Sequence, residues 1–362
     1  MIKTTIENQE SNKGNPSERS PSPVNPKAVV TEPTQMTVSF SPHIRSAAST
    51  NRIMLDVVIA LMPAFVASVL IFGPRAALIT IVCVAACVLF EALYQKFTKQ
   101  TITVLDFSAV ITGLLIAFNL PVTLPLWQAV IGCFVAIVMV KQLFGGLGRN
   151  FANPAIVARV VLFIAFPLSM SYWAMPDATP AWVLLSGIVP TSTQVAVDAL
   201  SSATPLAYLA VNNTEALPSL LYMFLGIRGG TIGETSALAL LLGGAYLLIR
   251  RVIRWHIPVS FMATVGLLTF LAGGFDLHFM LMHLLAGGLV IGALFMATDY
   301  VTSPQTNKGR IIFGIGCGLL TVVIRLFGNY PEGVSFAILF MNVLVPFINK
   351  YSMTKPLGGK KV

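Results

Sequence analysis

Few residues in this chain could do chemistry, and they stand out against an apolar background. The segment Asp198-Ala-Leu-Ser-Ser-Ala-Thr204-Pro-Leu-Ala207 gathers small hydroxyl side chains between two hydrophobic halves. On residue types alone it is a turn leading into a helix. Thr204 serves as the N-cap and Pro205 takes the first helical position, where its missing N–H loses no hydrogen bond. Ionisable residues inside apolar runs form the next set, because such residues mark functional or tightly partnered positions. Arg159 and His283 each lie about five residues into a run. Asp56, Glu91, Asp106 and Asp299 sit near run ends, where snorkelling or helix-end pairing accounts for them. Glu234 opens another run, where an acid complements the helix dipole, and Arg228 stands six residues earlier, near enough to pair with it.

Glycines are dense at Gly145-Gly146-Leu-Gly148 and at Gly229-Gly230-Thr-Ile-Gly233. In membrane helices such clusters mean close packing, or a break whose exposed backbone faces a cofactor or an ion path. No Gly-Lys-Ser/Thr follows either, so neither is a phosphate loop. Cys83, Cys87, Cys133 and Cys317 all lie inside apolar runs, without a C-x-x-C or a Cys/His cluster. They are expected to pack as small residues, with no metal or iron–sulfur site built by this chain. No catalytic residue is identified.

The elements that must position these residues follow from composition. Of 362 residues, 56% are hydrophobic and only 10% charged, against roughly 25% charged in a soluble domain. A crossing helix takes roughly 20 apolar residues, so the apolar content allows at most roughly ten crossings. This excludes a soluble enzyme, a coiled coil and a wholly disordered chain. Continuous rather than alternating apolar runs argue against an outer-membrane barrel. The net charge is +9, but the cations lie at the ends of apolar runs, where they orient a membrane protein, so no nucleic acid is expected as partner.

The candidate spans are 54–72, 76–95, 107–120, 124–143, 154–168, 234–249, 257–273, 278–298, 309–327 and 333–348. Residues 1–40 read as a disordered tail without a signal-peptide pattern. The layout is then a tail over 1–40, a first membrane half over 41–168, a segment over 169–233, a second membrane half over 234–349 and a tail over 350–362. Within 169–233 the stretches 181–190 and 217–227 are moderately apolar but too short to cross.

Cations test this layout. With the N-terminal tail inside, the inside loops hold Lys96, Lys99, Lys141, Arg149, Arg250, Arg251, Arg254, Lys308 and Arg310, and the C-terminal tail adds Lys350, Lys355, Lys360 and Lys361. Residues 160–227 contain no Lys or Arg, while Asp177, Asp198 and Glu215 are present. The positive-inside rule therefore predicts ten crossings, both termini cytoplasmic and the 169–233 segment outside. Arg75 is almost the only cation of the outside loops, and Arg228 and Arg325 are the imperfect points. Five crossings plus five predict two inverted repeats, since an odd number flips the second copy. Val140-Lys-Gln-Leu-Phe-Gly145 and Val323-Ile-Arg-Leu-Phe-Gly328 match at four of six positions, and Phe118-Asn119-Leu120-Pro121 parallels Phe295-Met-Ala-Thr-Asp299.

The pattern D-x-x-S-x-A-T, carried by Asp198, Ser201, Ala203 and Thr204, resembles the acceptor motif for covalent flavin attachment, in which an FMN phosphate is esterified to the Thr hydroxyl. Ser202 stands where that motif usually has Gly, which permits backbone conformations that Ser resists. Further stretches resemble the D-type membrane component of the Rnf (Rsx) electron-transport complex, over residues 41 to about 350. They are Ser41-Pro-His-Ile-Arg-Ser46 with Ser49-Thr50 and Ile53-Met-Leu-Asp56; Phe144-Gly-Gly-Leu-Gly148 with Asn153-Pro-Ala155; Gly229-Gly-Thr-Ile-Gly-Glu-Thr-Ser236; Phe295-Met-Ala-Thr-Asp299 with Thr302-Ser-Pro304; and Gly328-Asn-Tyr-Pro-Glu-Gly333. The homologous B-type component of the sodium-pumping NADH:quinone reductase shares this scaffold.

The resemblance implies an all-α polytopic membrane subunit with FMN held covalently on Thr204, outside the cytoplasmic membrane. Asp198, Ser201, Ser202 and Ala203 complete the motif, with Asp198 in the signature read by the attaching enzyme. A second, non-covalent flavin such as riboflavin is implied within the helices. The implied activity couples electron transfer between ferredoxin and NAD to cation movement across the bacterial inner membrane, and only the whole complex performs it. Implied partners are a periplasmic flavoprotein, further membrane subunits, cytoplasmic iron–sulfur subunits and membrane lipid. A helix start at Thr204 would also favour the phosphate's charge. By architecture alone, a channel or transporter for a small solute fits equally well. The Thr204 motif separates the two readings, because a channel has no use for a flavin acceptor.

Overall fold

The structure, a computed structural model, describes residues 49–173, 205–210, 218–226, 228–234, 236–328 and 332–353. The tail 1–40, the motif residues Asp198, Ser201, Ser202, Ala203 and Thr204, and residues 354–362 lie outside the described residues.

Among the described residues all regular structure is helical. Helix α1 (Thr50–Phe72) starts where the Ser49 hydroxyl accepts the Arg52 N–H at 3.3 Å. It ends at Gly73, whose φ of +74° turns the chain into Pro74, the first residue of α2 (Pro74–Phe97). Next come α3 (Ser108–Phe118), α4 (Leu126–Phe134, continued as a π-helix over Val135–Gln142), α5 (Pro154–Ala165) and the short α6 (Pro167–Met170). Two short helices, α7 (Pro205–Ala210) and α8 (Leu220–Leu225), precede the second half. That half comprises α9 (Ala237–Ile249), α10 (His256–Ala272), α11 (Leu277–Leu285), α12 (Leu289–Ile291, continued as a π-helix over Gly292–Met296), α13 (Asn307–Phe327) and α14 (Val334–Ser352).

Each of the ten candidate spans coincides with an apolar helical segment. Helices α1, α2, α13 and α14 are long and apolar enough to cross a membrane, and α11 with α12 makes a fifth as a pair bent by 66°. Helices α3, α4 with its π-helix, α5, α9 and α10 are apolar but shorter. The protein is therefore a polytopic membrane protein, with four or five full-length spans among the described residues. The 278–298 run differs from expectation: it is interrupted at 286–288 rather than forming one helix.

Small residues set the packing. Gly243 on α9 lies against the Ala60 carbonyl oxygen on α1 so closely that a Cβ there would overlap it. A Cβ on Gly113 of α3 would stand 2.7 Å from the Val84 Cα of α2, and one on Gly318 of α13 would stand 2.6 Å from the Thr264 Cβ of α10. Without a hydrophobic drive between helices in lipid, such close approach supplies the dispersion contacts that hold them. Phe72, Phe118, Phe261 and Phe313 fill the interior. The outer faces are apolar: Leu70 is 80% exposed and Phe327 83%, as suits a surface meeting hydrocarbon.

Candidate functional site

Polar side chains collect towards both ends of α9, whose 13 residues at about 1.5 Å each make a rod of about 20 Å. At its N-terminal end five charges converge: Arg159 from α5, Arg228 and Glu234 from the connection before α9, Arg325 from α13, and Glu332 just ahead of α14. Arg159 joins them. Its Nη1 donates to Asn119 Oδ1 at 2.7 Å, and its Nη2 pairs with the Glu332 carboxylate and lies 3.8 Å from Glu234 Oε2. Arg228 Nη2 donates to the Glu234 backbone carbonyl at 3.1 Å. Arg325 donates to the His283 and Ala286 carbonyls at 2.6 and 2.9 Å, so a cation caps the carbonyl end of α11.

Local backbone explains the gathering. In the connection before α9, the Ile232 and Gly233 N–H groups donate to the Leu120 and Phe118 carbonyls at 2.9 and 3.0 Å, closing the end of α3. Phe118 fills the space a side chain on Gly233 would need. At the break between α11 and α12, Gly287 adopts φ +65°, which an L side chain resists. A Cβ on Gly288 would meet Arg159 Nη1 and Glu234 Oε2 at 3.3 Å each. Arg159, Arg228, Glu234 and Arg325 are at most 6% exposed. Several polar atoms here are buried without a hydrogen-bond partner: Glu234 Oε2, Glu332 Oε1, Nε of Arg228 and of Arg325, and both ring nitrogens of His283. Unpaired groups of this kind call for an explanation.

These positions revise several sequence expectations. Glu234 does not serve the dipole of α9; the Ser236 hydroxyl caps that helix by accepting the Ala239 N–H at 3.3 Å, and the Glu234 carboxylate faces Arg159. Arg228 bonds the backbone of Glu234, not its carboxylate. Neither glycine cluster breaks a helix. Gly145, Gly146 and Gly148 turn the chain after the π-helix, with φ of +104°, +87° and +91°, and Gly229 to Gly233 belong to the connection before α9. The break lies at Gly287 and Gly288, which sequence reasoning missed although Ala-Gly-Gly interrupts the 278–298 run. Arg228 and Arg325, the imperfect points of the expected layout, are buried ion-cluster members rather than loop cations, and so is Lys141, which that layout counted in an inside loop.

Helix α7 begins at the residue after Thr204 and packs onto this region. Pro205 and Leu206 are buried. A Cβ on Gly287 would stand 2.5 Å from Leu206 Cδ1 and 3.2 Å from Arg325 Nη2.

At the C-terminal end of α9 an open pocket encloses about 800 Å³ free of protein atoms, part of it solvent. Ile53, Val57, Leu115, Leu247, Leu294 and Phe295 form apolar walls, and Ser108, Lys141, Asn150, Asn153, Thr298 and Asp299 bring polar groups to it. Lys141 Nζ stands 2.9 Å from both Glu91 carboxylate oxygens and 2.6 Å from Ser108 Oγ, while Gln142 Nε2 donates to the same carboxylate at 2.9 Å. The Asp106 carboxylate in turn accepts from Ser108 Oγ at 2.5 Å. Asp299, in the connection before α13, accepts from the Thr302 hydroxyl at 3.0 Å, and burial pushes its carboxyl above the usual range against the pull of that bond. Asp56 pairs with Arg250 at 3.2 Å and accepts from the Tyr246 hydroxyl at 2.9 Å, joining α1 to α9. Pairing thus accounts for Asp56 and Glu91, as expected. The four cysteines are buried and unbridged, and among the described residues no three His, Cys, Asp or Glu side chains are placed to hold a metal.

Known proteins resemble this chain along nearly its whole length. It is 45% identical over 329 residues to the D-type component of the Na(+)-translocating ferredoxin:NAD(+) oxidoreductase complex of Acetobacterium woodii, covering 90% of this chain and 96% of that protein. It is 42% identical over 336 residues to the D-type component of the proton-translocating ferredoxin:NAD(+) oxidoreductase complex of Clostridium ljungdahlii, covering 90% and 97%. The corresponding component of the ion-translocating oxidoreductase complex of Escherichia coli K12 is 37% identical over 347 residues, covering 90% and 99%. The family model described as NQR2, RnfD, RnfE matches residues 37–358. With that match spanning both membrane halves and both polar sites, the chain belongs to the NQR2, RnfD, RnfE family.

Proposed function

We propose that this chain is the flavin-carrying membrane subunit of a complex that couples electron transfer between ferredoxin and NAD to cation translocation. The observation that carries the reading is the 45% identity, over 90% of the chain, to a relative named for that coupling. Two relatives are named for different ions, sodium and proton, so the features all three chains share do not select the ion.

FMN on Thr204 is supported by the acceptor motif and by α7, which starts at the next residue and seats Leu206 beside Arg325 and Gly287. Asp198, Ser201, Ser202 and Ala203 would serve recognition during attachment. A second flavin suits the pocket at the other end of α9. Its apolar walls with a few converging polar groups match a flat ring with one hydrogen-bonding edge. The flavins would supply the electron chemistry. This chain's residues would orient them: Lys141, held by Glu91, sets a positive charge at the pocket, and Asn150 and Asn153 bring amides to it. NAD, ferredoxin and iron–sulfur chemistry belong to partner subunits.

The same reading puts ten crossings in the bacterial inner membrane, both termini in the cytoplasm, Thr204 in the periplasm and the domain layout at the boundaries given above. Support for two inverted repeats comes from the parallel segments around Phe118 and Phe295, which meet in the interior with Asn119 Nδ2 3.8 Å from Met296 Sδ.

The test is Thr204→Val, coexpressed with the attaching enzyme. The wild-type chain should fluoresce under ultraviolet light on a denaturing gel and carry the added mass of FMN, and the variant should insert in the membrane without either. A wild-type mass equal to that of the bare polypeptide would sink the flavin reading.

A further inference from the structure

Among the described residues the buried charges at the N-terminal end of α9 do not balance. Arg159, Arg228 and Arg325 contribute three positive charges, and Glu234 and Glu332 two negative ones. Charge withheld from water requires a counter-charge. A sodium ion would add to the excess, whereas a monoanion removes it. The free donors agree with an anion: Nε of Arg228 and Nε of Arg325 are buried without an acceptor. Guanidinium groups are the side chains best shaped for oxyanions. Glycine at 287 lets the Leu206 and Arg325 side chains meet there, since a Cβ would stand 2.5 Å from Leu206 Cδ1 and 3.2 Å from Arg325 Nη2.

We propose that Arg228 and Arg325, together with Arg159, form a buried seat for a phosphate-type monoanion at the break between α11 and α12. The seat is argued from charge and unpaired donors. Its source rests on the flavin reading above. Leu206, packed against Gly287, lies two residues beyond Thr204, and two peptide units span at most about 7.6 Å. A phosphodiester on Thr204 is therefore within reach and carries the single negative charge that the cluster lacks. A lipid head group or inorganic phosphate offers the same chemistry from another source.

The experiment is phosphorus NMR of the full chain, coexpressed with the attaching enzyme and purified in maltoside detergent. A protein-bound resonance should be displaced from the position it takes after denaturation. It should move back towards that position in Arg228→Gln and in Arg325→Lys, with covalent flavin per chain unchanged by intact mass. Lysine is chosen at 325 because it keeps a cation on the end of α11. Thr204→Val separates the sources. Loss of the resonance together with the flavin assigns it to the tethered diester. A resonance that survives Thr204→Val and still answers to Arg228→Gln keeps the seat but gives it to a lipid head group or free phosphate. Wild-type chain without covalent mass refutes the flavin reading alone, and the seat then stands or falls on the surviving resonance. No bound phosphorus, a resonance at the denatured position, or one that neither arginine substitution moves overturns the seat.

Discussion

Replacing Glu91 by Gln removes one charge from a pair buried on both sides, with Lys141 3% and Glu91 1% exposed. At 2.9 Å and an effective dielectric of about 20, the attraction between the two charges is about 6 kcal/mol. Most of that offsets the hydration both groups gave up, so the intact pair contributes little net stability. Breaking it is different. In Glu91→Gln an amide oxygen at the Oε1 position still accepts from Gln142, Gln95 and Lys141, but the buried Lys141 ammonium, with Ser108 as its other partner, loses its counter-charge. The expected loss is about 3–5 kcal/mol, or roughly two to four powers of ten in the folding equilibrium. Lys141→Met should cost a similar amount by stranding the Glu91 carboxylate. The double variant Glu91→Gln/Lys141→Met strands no charge and should return to within about 1–2 kcal/mol of wild type. Unfolding in mixed micelles with increasing sodium dodecyl sulfate, followed by tryptophan fluorescence, measures all four proteins of the cycle. The reasoning fails if either single substitution costs less than about 1 kcal/mol, or if the double variant loses the sum of both.

Three further outcomes are expected besides the loss of flavin in Thr204→Val. Gly243→Val should cost about 1–3 kcal/mol in the same unfolding assay, because the new side chain meets the Ala60 carbonyl oxygen; an unchanged midpoint would mean α1 and α9 are not in backbone contact. Reporter fusions at the C-terminus and near residue 212 should give opposite signals, and matching signals would contradict the five crossings expected between them. The purified single chain should not oxidise NADH, although dithionite should bleach its flavin; turnover equal to that of the intact complex would reveal a nucleotide site in this chain.

Much of the helical scaffold is legible in the sequence because apolar runs and cations are local signals. All ten runs appear as helical segments, and Gly73-Pro74, Asn153-Pro154 and Thr306 mark helix boundaries by ordinary capping chemistry. The site is legible only as separate oddities. Arg159 and His283 stand out as intramembrane ionisable residues, but Glu332 lies 173 positions from Arg159, and no periodicity links residues so far apart. Arg228 and Arg325 do send a signal, as cations out of step with the expected layout, and both are buried. The Glu91–Lys141 pair, 50 positions apart, is half visible as a helix-end acid. The break at 286–288 is hidden because its flanks are as apolar as an unbroken span, and π-helical stretches have no distinct residue signature.

Helices that touch backbone to backbone resist sliding. Gly243 against the Ala60 carbonyl keys α9 to α1, and Gly318 against the Phe261 carbonyl keys α13 to α10. A carrier that rocks one half past the other needs an interface that shears, and these contacts oppose shear because each projection sits in a notch of backbone width. Helix α9 is thereby a strut of about 20 Å, setting the separation of whatever occupies its two ends.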